Sequence, residues 1–312
     1  MPPASPAPER LSTRLADVGG LPVHRAVPQR ALRKVGAWCF LDHLGPATQS
    51  AEHSLQVGPH PHIGLQTFTW MIEGEVLHRD SLGSEQVIRP GQVNLMTAGR
   101  GIAHSEESLG SPRIHAAQLW IALPGDQRDM PPRFQHYPDV PRCTQDGLEI
   151  CLLAGEALGL VSPVEVHSPL VALDVALSAD APGADTPGAV TTELPLRPDF
   201  EYAVLVLTGS ADVDGTAAAP DELLFLPAGR SQLTLGCTPG TRLLLLGGAP
   251  MGEDVLLWWN FVGRTQEEIA QALADWQAGP PPEGQAGRFG RRMASPLAPL
   301  TAPALEGRLR AS

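Results

Sequence analysis

The sequence predicts an all-β chain of two similar barrels followed by one short helix, and three observations carry the prediction. Short apolar runs with β-branched or aromatic members recur every 8 to 15 residues from about Trp38 to about Ala249, separated by Gly, Pro, Asp or Ser. Glycine and proline supply 32 residues each out of 312, without a collagen period, so turns are frequent. The chain also repeats itself: Met71-Ile-Glu-Gly74 answers Val206-Leu-Thr-Gly209 at a shift of 135, and Pro90–Arg100 answers Pro220–Arg230 at a shift of 130. The five-residue difference falls in the loop between them.

Taken in order, residues 1–19 are Pro-rich and read as a flexible extension. A first domain over 20–138 contains the strands Leu65–Ile72, Gln86–Ile88, Val93–Met96 and Ala116–Ala122. A second domain over 139–278 contains Leu148–Ala154, Leu170–Leu177, Tyr202–Leu207, Leu223–Leu226, Gln232–Leu235 and Arg242–Leu246. Near its end the period changes. Thr265 is a cap-like residue with Glu268 three positions on, and Ile269, Leu273 and Trp276 follow at helical spacing, so a helix is expected over about 265–277. From Gly279 the Pro-, Ala- and Arg-rich sequence loses periodicity, and 279–312 reads as a flexible tail.

Composition narrows the functional classes. A hydrophobic content of 43% is enough to build a core in each domain. The formal charge of −12 argues against a broad footprint on nucleic acid or anionic lipid. Cys39, Cys143, Cys151 and Cys237 form no CxxC pair, which argues against a zinc ribbon or a dithiol redox site and fits a reduced, cytoplasmic chain. No apolar signal-peptide region and no run of 18 apolar residues occurs, so neither export nor a membrane span is expected.

The chemistry concentrates in two pairs. His60 and His62 stand two apart at the entry to Leu65–Ile72, and His104 and Glu106 stand two apart 44 residues after His60. Side chains alternate across a strand, so each pair points to one face, and inward positions of a small barrel meet near its axis. Three neutral imidazoles and one carboxylate make a site for one first-row transition metal; a six-coordinate iron(II) would keep two positions open. A lone HxH is weak evidence, because ten histidines could place one at a surface turn. The HxE pair beyond a strand–turn–strand pattern strengthens it. Carrying the four positions into the second half gives Pro195, Arg197, Thr234 and Gly236, so the second barrel is expected to be empty.

The stretch HPHIGLQTFTWMIEGEVLHRDSLGSEQVIRPGQVNLMTAGRGIAHSEE resembles the signature of the pirin family of the cupin superfamily. Gln118-Leu-Trp120, Gly247–Pro250 and Asn260–Ile269 extend the likeness to about 20–278, more weakly in the second half. The resemblance implies two tandem cupin barrels, each a double-stranded β-helix or jelly roll. It also implies non-haem iron in the first barrel, held by residues corresponding to His60, His62, His104 and Glu106. Zinc, manganese, nickel, copper or cobalt are the other candidate ions.

Members similar to this chain include quercetin 2,3-dioxygenases, which open the central flavonol ring with O2 and release carbon monoxide. Others resemble transcription co-regulators or partners of metabolic enzymes. A monomer acting on a polyphenol with O2 is expected, and Glu106 is the candidate base, since a ligand carboxylate can take the substrate's phenolic proton by loosening from the metal. The competing reading is an iron-dependent binding protein with a protein partner, and a zinc-filled structural barrel is a third. One departure stands out: the general cupin pattern places Glu where this chain has Gln66, and the carboxylate is then expected from the HxE pair.

Smaller expectations complete the reading. His78-Arg79-Asp80 reads as an exposed turn with an ion pair in preference to a polar cluster at the barrel mouth, and His115 as a rim residue. Trp258-Trp259 is expected to cover the second core, and Phe68, Trp70 and Met96 are candidates to exclude water from the metal. Gly99-Arg-Gly101 is not a phosphate loop, because no helix follows it.

Overall fold

The computed structural model describes residues 6–50, 53–180 and 190–311. The chain opens with β1 (Glu9–Ser12), β2 (Arg14–Val18) and β3 (Leu21–Val27). It continues through β4 (Trp38–Thr48), β5 (Gln56–His62), β6 (Leu65–Glu73), β7 (Val76–Asp80), β8 (Glu85–Ile88), β9 (Val93–Thr97), β10 (Ile102–Ser108), β11 (Arg113–Ala122) and β12 (Arg133–Tyr137). The next stretch holds β13 (Arg142–Gln145), β14 (Leu148–Ala154), β15 (Glu156–Ala157), β16 (Leu160–Val161), β17 (Leu170–Ala176) and β18 (Val190–Pro195). It is followed by β19 (Glu201–Thr208), β20 (Ala211–Val213), β21 (Thr216–Ala218), β22 (Glu222–Leu226), β23 (Gln232–Cys237) and β24 (Arg242–Gly248). A hairpin of β25 (Leu256–Trp258) and β26 (Phe261–Gly263) leads into the helix α1 (Gln266–Gln277).

Two compact units result, and each is built from separated pieces of chain. The first unit contains Cys39–Pro138, Leu15–Val23 and the described residues from Gly252 onward. The second contains Asp139–Met251, His24–Trp38 and the described residues up to Arg14. In the first, a seven-stranded sheet in the order β12-β9-β6-β11-β4-β3-β2 is accompanied by a four-stranded sheet, β5-β10-β7-β8. The second repeats the plan with β1-β22-β19-β24-β17-β14-β13 and β18-β23-β20-β21.

The repeat seen in the sequence is a repeat of register. Thr67 pairs with Met96 and Thr69 with Asn94. The shifts of 135 and 130 carry these pairs onto Tyr202 with Leu226 and Val204 with Leu224, which are paired as well. Fold class and helix follow the sequence closely. Thr265 caps α1 by accepting a hydrogen bond from the Glu268 amide at 3.2 Å, and Ile269, Ala272 and Leu273 form its buried stripe.

Three placements differ from expectation. Residues 9–12 and 14–18 form strands, not an extension: β1 adds to the edge of the second unit's sheet, from Glu9 opposite Phe225 to Ser12 opposite Glu222. Pairing through backbone groups needs no apolar pattern, which is why composition does not reveal it. The helix and Trp258-Trp259 belong to the first unit and not the second. There both indoles and Phe261 pack with Ile63, Ala103, Ile269 and Phe289. The segment after Gly279, expected to be flexible, takes part in the same cluster through Phe289, Met293, Leu305 and Leu309. Among the described residues no helix is long and apolar enough to cross a membrane.

Candidate metal centre

β10 lies between β5 and β7, and its two neighbours supply the rest of the site. His104 is opposite His60 on one side and Asp80 on the other, while Glu106 is opposite Val57 and His78. Between these rows β5 uses one residue more than β10, so a bulge falls at Gly58-Pro59. Proline has no amide hydrogen to give to a ladder, which suits it to that position. The freed Gly58 carbonyl accepts a hydrogen bond from Nδ1 of His60 at 2.9 Å.

Nδ1 of His62 donates in the same way to the carbonyl of Asn260, at 3.1 Å, in the turn between β25 and β26. A carbonyl can only accept, so both imidazoles carry their proton on Nδ1 and keep the Nε2 lone pair. Nε2 of His62 is 3.1 Å from Nε2 of His104. Two nitrogens bound at about 2.1 Å in neighbouring positions around one ion stand about 3.0 to 3.4 Å apart, so this spacing suits shared coordination. The ring centroids of His60 and His104 are 4.3 Å apart, and ligand atoms of His60, His62 and His104 all lie within 4.8 Å of one another.

The electrostatics agree with a cation site. Burial, opposed in part by the Gly58 carbonyl, lowers the pKa of His60 to about 4. His62 is held well below the ordinary value by burial and by His60, and His104 by burial and by both other imidazoles. Three neutral imidazoles with aimed lone pairs are the donor set that imidazole-binding transition metals take. The residues present therefore fit a metal ion.

Glu106 enters differently from the sequence expectation. It is half-buried and groups within 4.8 Å with ligand atoms of His104 and His78, while His60, His62 and His104 form their own group without it. Burial raises the pKa of Glu106, against the opposing effects of His78 and the Thr69 hydroxyl.

His78-Arg79-Asp80 is not an exposed turn. His78 and Asp80 are buried on β7; Nε2 of His78 is 3.2 Å from Asp80, and its Nδ1 is 3.3 Å from Nδ1 of His104. Burial works to raise the Asp80 pKa, but hydrogen bonds from His78 and Ser84 outweigh it and hold the carboxyl below its usual range. Sequence reasoning missed His78, although the spacing of His78 and Asp80 matches that of the other two pairs. His115 is likewise buried and not on the rim, with its Nε2 2.9 Å from Nε2 of His43.

Pairing register decides which neighbours face the site. The ring of Trp120 stands edge-on to His62 at 5.1 Å and stacks on Phe40 at 3.9 Å. Trp120 is opposite Thr67, so Thr67 and Thr69 share its face of the sheet. Phe68 and Trp70 therefore lie on the other face of β6 and do not screen the metal position. Gln66 is on that other face too, donating to Thr97 Oγ1 at 3.0 Å. Met96, opposite Thr67, is the one of the three candidates that shares the face of Trp120. Phe134, opposite Met96, stacks on His78 at 4.3 Å. Thr69 donates to Gln118 at 2.8 Å, so aromatic rings and a few polar groups surround the imidazoles.

In the second unit the positions carried over by the shifts fall out of phase. Pro195 and Arg197 are exposed, and Thr192, Leu194, Leu233, Leu235 and Cys237 take the buried face of β18 and β23. Carrying a residue number across a repeat fails once the intervening loops differ in length.

A pirin family profile matches residues 20–121, and the profile of the pirin C-terminal cupin domain matches 184–281. This chain belongs to the pirin family. A Pseudomonas aeruginosa protein, provisionally named a quercetin 2,3-dioxygenase, is 52% identical over 297 residues, 95% of this chain and 90% of its own. A pirin-like protein of Caulobacter vibrioides is 40% identical over 85% of this pirin and 91% of the relative. Among solved structures, quercetin 2,3-dioxygenase from Acinetobacter baumannii superposes with a TM-score of 0.90 at 46% identity, covering 98% of both chains.

Proposed function

We propose that this pirin is a metal-dependent dioxygenase that opens the central ring of a flavonol or related polyphenol at a mononuclear iron centre. The observation that carries the reading is the convergence of His60, His62 and His104 as neutral imidazoles, two of them locked by backbone carbonyls. The relatives named for quercetin oxidation support the substrate class. His60, His62 and His104 would hold the ion, with Glu106 as the fourth ligand. Iron(II) there would supply Lewis acidity toward a phenolate and a one-electron path to oxygen.

The chain's own residues account for the remaining requirements. Glu106 accepts the phenolic proton on a carboxylate oxygen, and its raised pKa makes it a stronger base than a solvated glutamate. Trp120 and Phe134 offer flat apolar surfaces to a planar substrate, and Thr69 with Gln118 offers hydrogen bonds to its hydroxyls.

The test is anaerobic loading with iron(II), followed by quercetin and then oxygen. Ring-cleaved product with carbon monoxide is expected, and none in His62→Ala. A fully loaded protein that turns over no flavonol would overturn the proposal in favour of a metal-dependent binding protein. Metal analysis is expected to give about one ion per chain.

A further inference from the structure

The β5–β10 pair has a second face. Pro59 and Ala103 immediately precede His60 and His104, and neighbouring residues of a strand point to opposite sides. Ala103 packs with Phe261, Ile269 and Phe289 of the carboxy-terminal segment, away from the imidazoles. That cover leaves a cavity of about 540 Å3, with Pro59, Ala103, Trp276, Phe289, Arg291 and Arg292 among its walls. The volume is in the range of small-molecule sites.

The cavity walls are seated by specific contacts. A side chain at Gly58 would collide with the Ala298 carbonyl, and one at Gly101 would come within 2.7 Å of the Arg288 carbonyl, so both glycines permit the segment to lie against the sheet. The Leu300 amide donates to the Pro59 carbonyl at 2.8 Å, and the Trp276 indole donates to the Leu300 carbonyl at 3.1 Å. Phe289 stacks parallel to Phe261 at 6.0 Å and meets the Trp276 ring edge-on at 5.8 Å. Arg288 is already engaged, by Asp275 at 3.1 Å and the Arg100 carbonyl at 3.0 Å. Arg291 and Arg292, in contrast, make no ion pair with a described residue.

Flat apolar walls beside two uncompensated guanidinium groups, on a chain of net charge −12, select for a ligand that is aromatic at one end and anionic at the other. We infer that this cavity is a second binding site, separate from the metal centre, for a small aromatic carboxylate. The ring lies against Trp276 and Phe289, and the carboxylate pairs with Arg291 and Arg292. The inference does not depend on the proposed dioxygenase activity, because no metal ligand faces the cavity.

The test uses the full chain, freed of metal with chelator, titrated with 1-naphthoate by calorimetry and by tryptophan fluorescence. One molecule per chain is expected, with a dissociation constant below about 1 mM. Affinity is expected to fall about ten-fold or more in Arg291→Gln/Arg292→Gln, whose exposed positions leave the fold intact, and for the neutral analogue 1-naphthalenemethanol. Leu297→Trp, which fills the cavity from its wall, is expected to abolish binding. No binding at millimolar naphthoate, equal binding of the neutral alcohol, or unchanged affinity in either variant would overturn the inference.

Discussion

Phe261→Ala separates the packing role of the carboxy-terminal hairpin from its role at the metal. Phe261 is fully buried, with the Trp259 ring 5.4 Å away, Phe289 at 6.0 Å and Trp258 at 6.1 Å. Truncating a phenylalanine in such a position costs ~3–5 kcal/mol, part transfer and part cavity. Its neighbour Asn260 supplies the carbonyl that fixes the His62 tautomer, and the Val262 amide ties the same turn to the Ile63 carbonyl at 3.1 Å. Loosening that turn is expected to lower metal affinity about 10- to 100-fold, the usual effect of losing an outer hydrogen bond to a ligating histidine. Urea unfolding of the metal-free protein reads the first quantity. Chelator competition on folded variant reads the second. Phe200→Ala is the control, since that ring is 2% exposed in the second unit's core and should cost similar stability with metal affinity unchanged. Equal metal affinity in Phe261→Ala and the parent would refute the role given to the Asn260 carbonyl, and a loss of under ~1 kcal/mol would refute the packing argument.

Three further outcomes are expected. The His60 pKa lies below its unfolded value, 6.5 against about 4, so protons favour the unfolded chain. Stability of the metal-free protein is therefore full above pH 6.5 and falls toward pH 4, by about 3 kcal/mol from this residue alone. A flat series of urea midpoints across that window would remove the claim. Glu106→Gln should keep some metal binding but lower turnover about 100-fold or more, and an unchanged rate would dismiss Glu106 as the base. Burial pushes the Cys237 thiol up to about 11, so at neutral pH a thiol reagent should label half-buried Cys143 well before it. Mass spectrometry of a labelling time course would show the reverse order if the second unit's core were open.

The parts of the fold carried by side-chain pattern were legible. Leu148–Ala154 has the same bounds as β14, and the Thr265 cap marks the start of α1. The two spaced pairs led to the cluster of His60, His62 and His104, because a strand repeats its facing every second residue, whereas Glu106 groups with His104 and His78. What escaped depends on backbone or on partners distant in the chain. β1 is held by ladder hydrogen bonds that any sequence can make. The segment after Gly279 docks through single residues such as Phe289, without a period to detect. His78 was hidden by context, since HRD followed by Ser81-Leu-Gly83 looks like a turn although β7 runs through Asp80. Phe68 and Trp70 were candidates on chemistry alone, and only the pairing of Thr67 with Trp120 assigns β6 its two faces.

The acceptor for His62 comes 198 residues later in the chain. A ribosome that has finished every imidazole and carboxylate of the centre still has Asn260 to synthesise. The donor set around His62 is therefore complete only when the hairpin of β25 and β26 has come back against Ile63, so the tautomer of a ligand near the start of the first unit is set by its carboxy-terminal part.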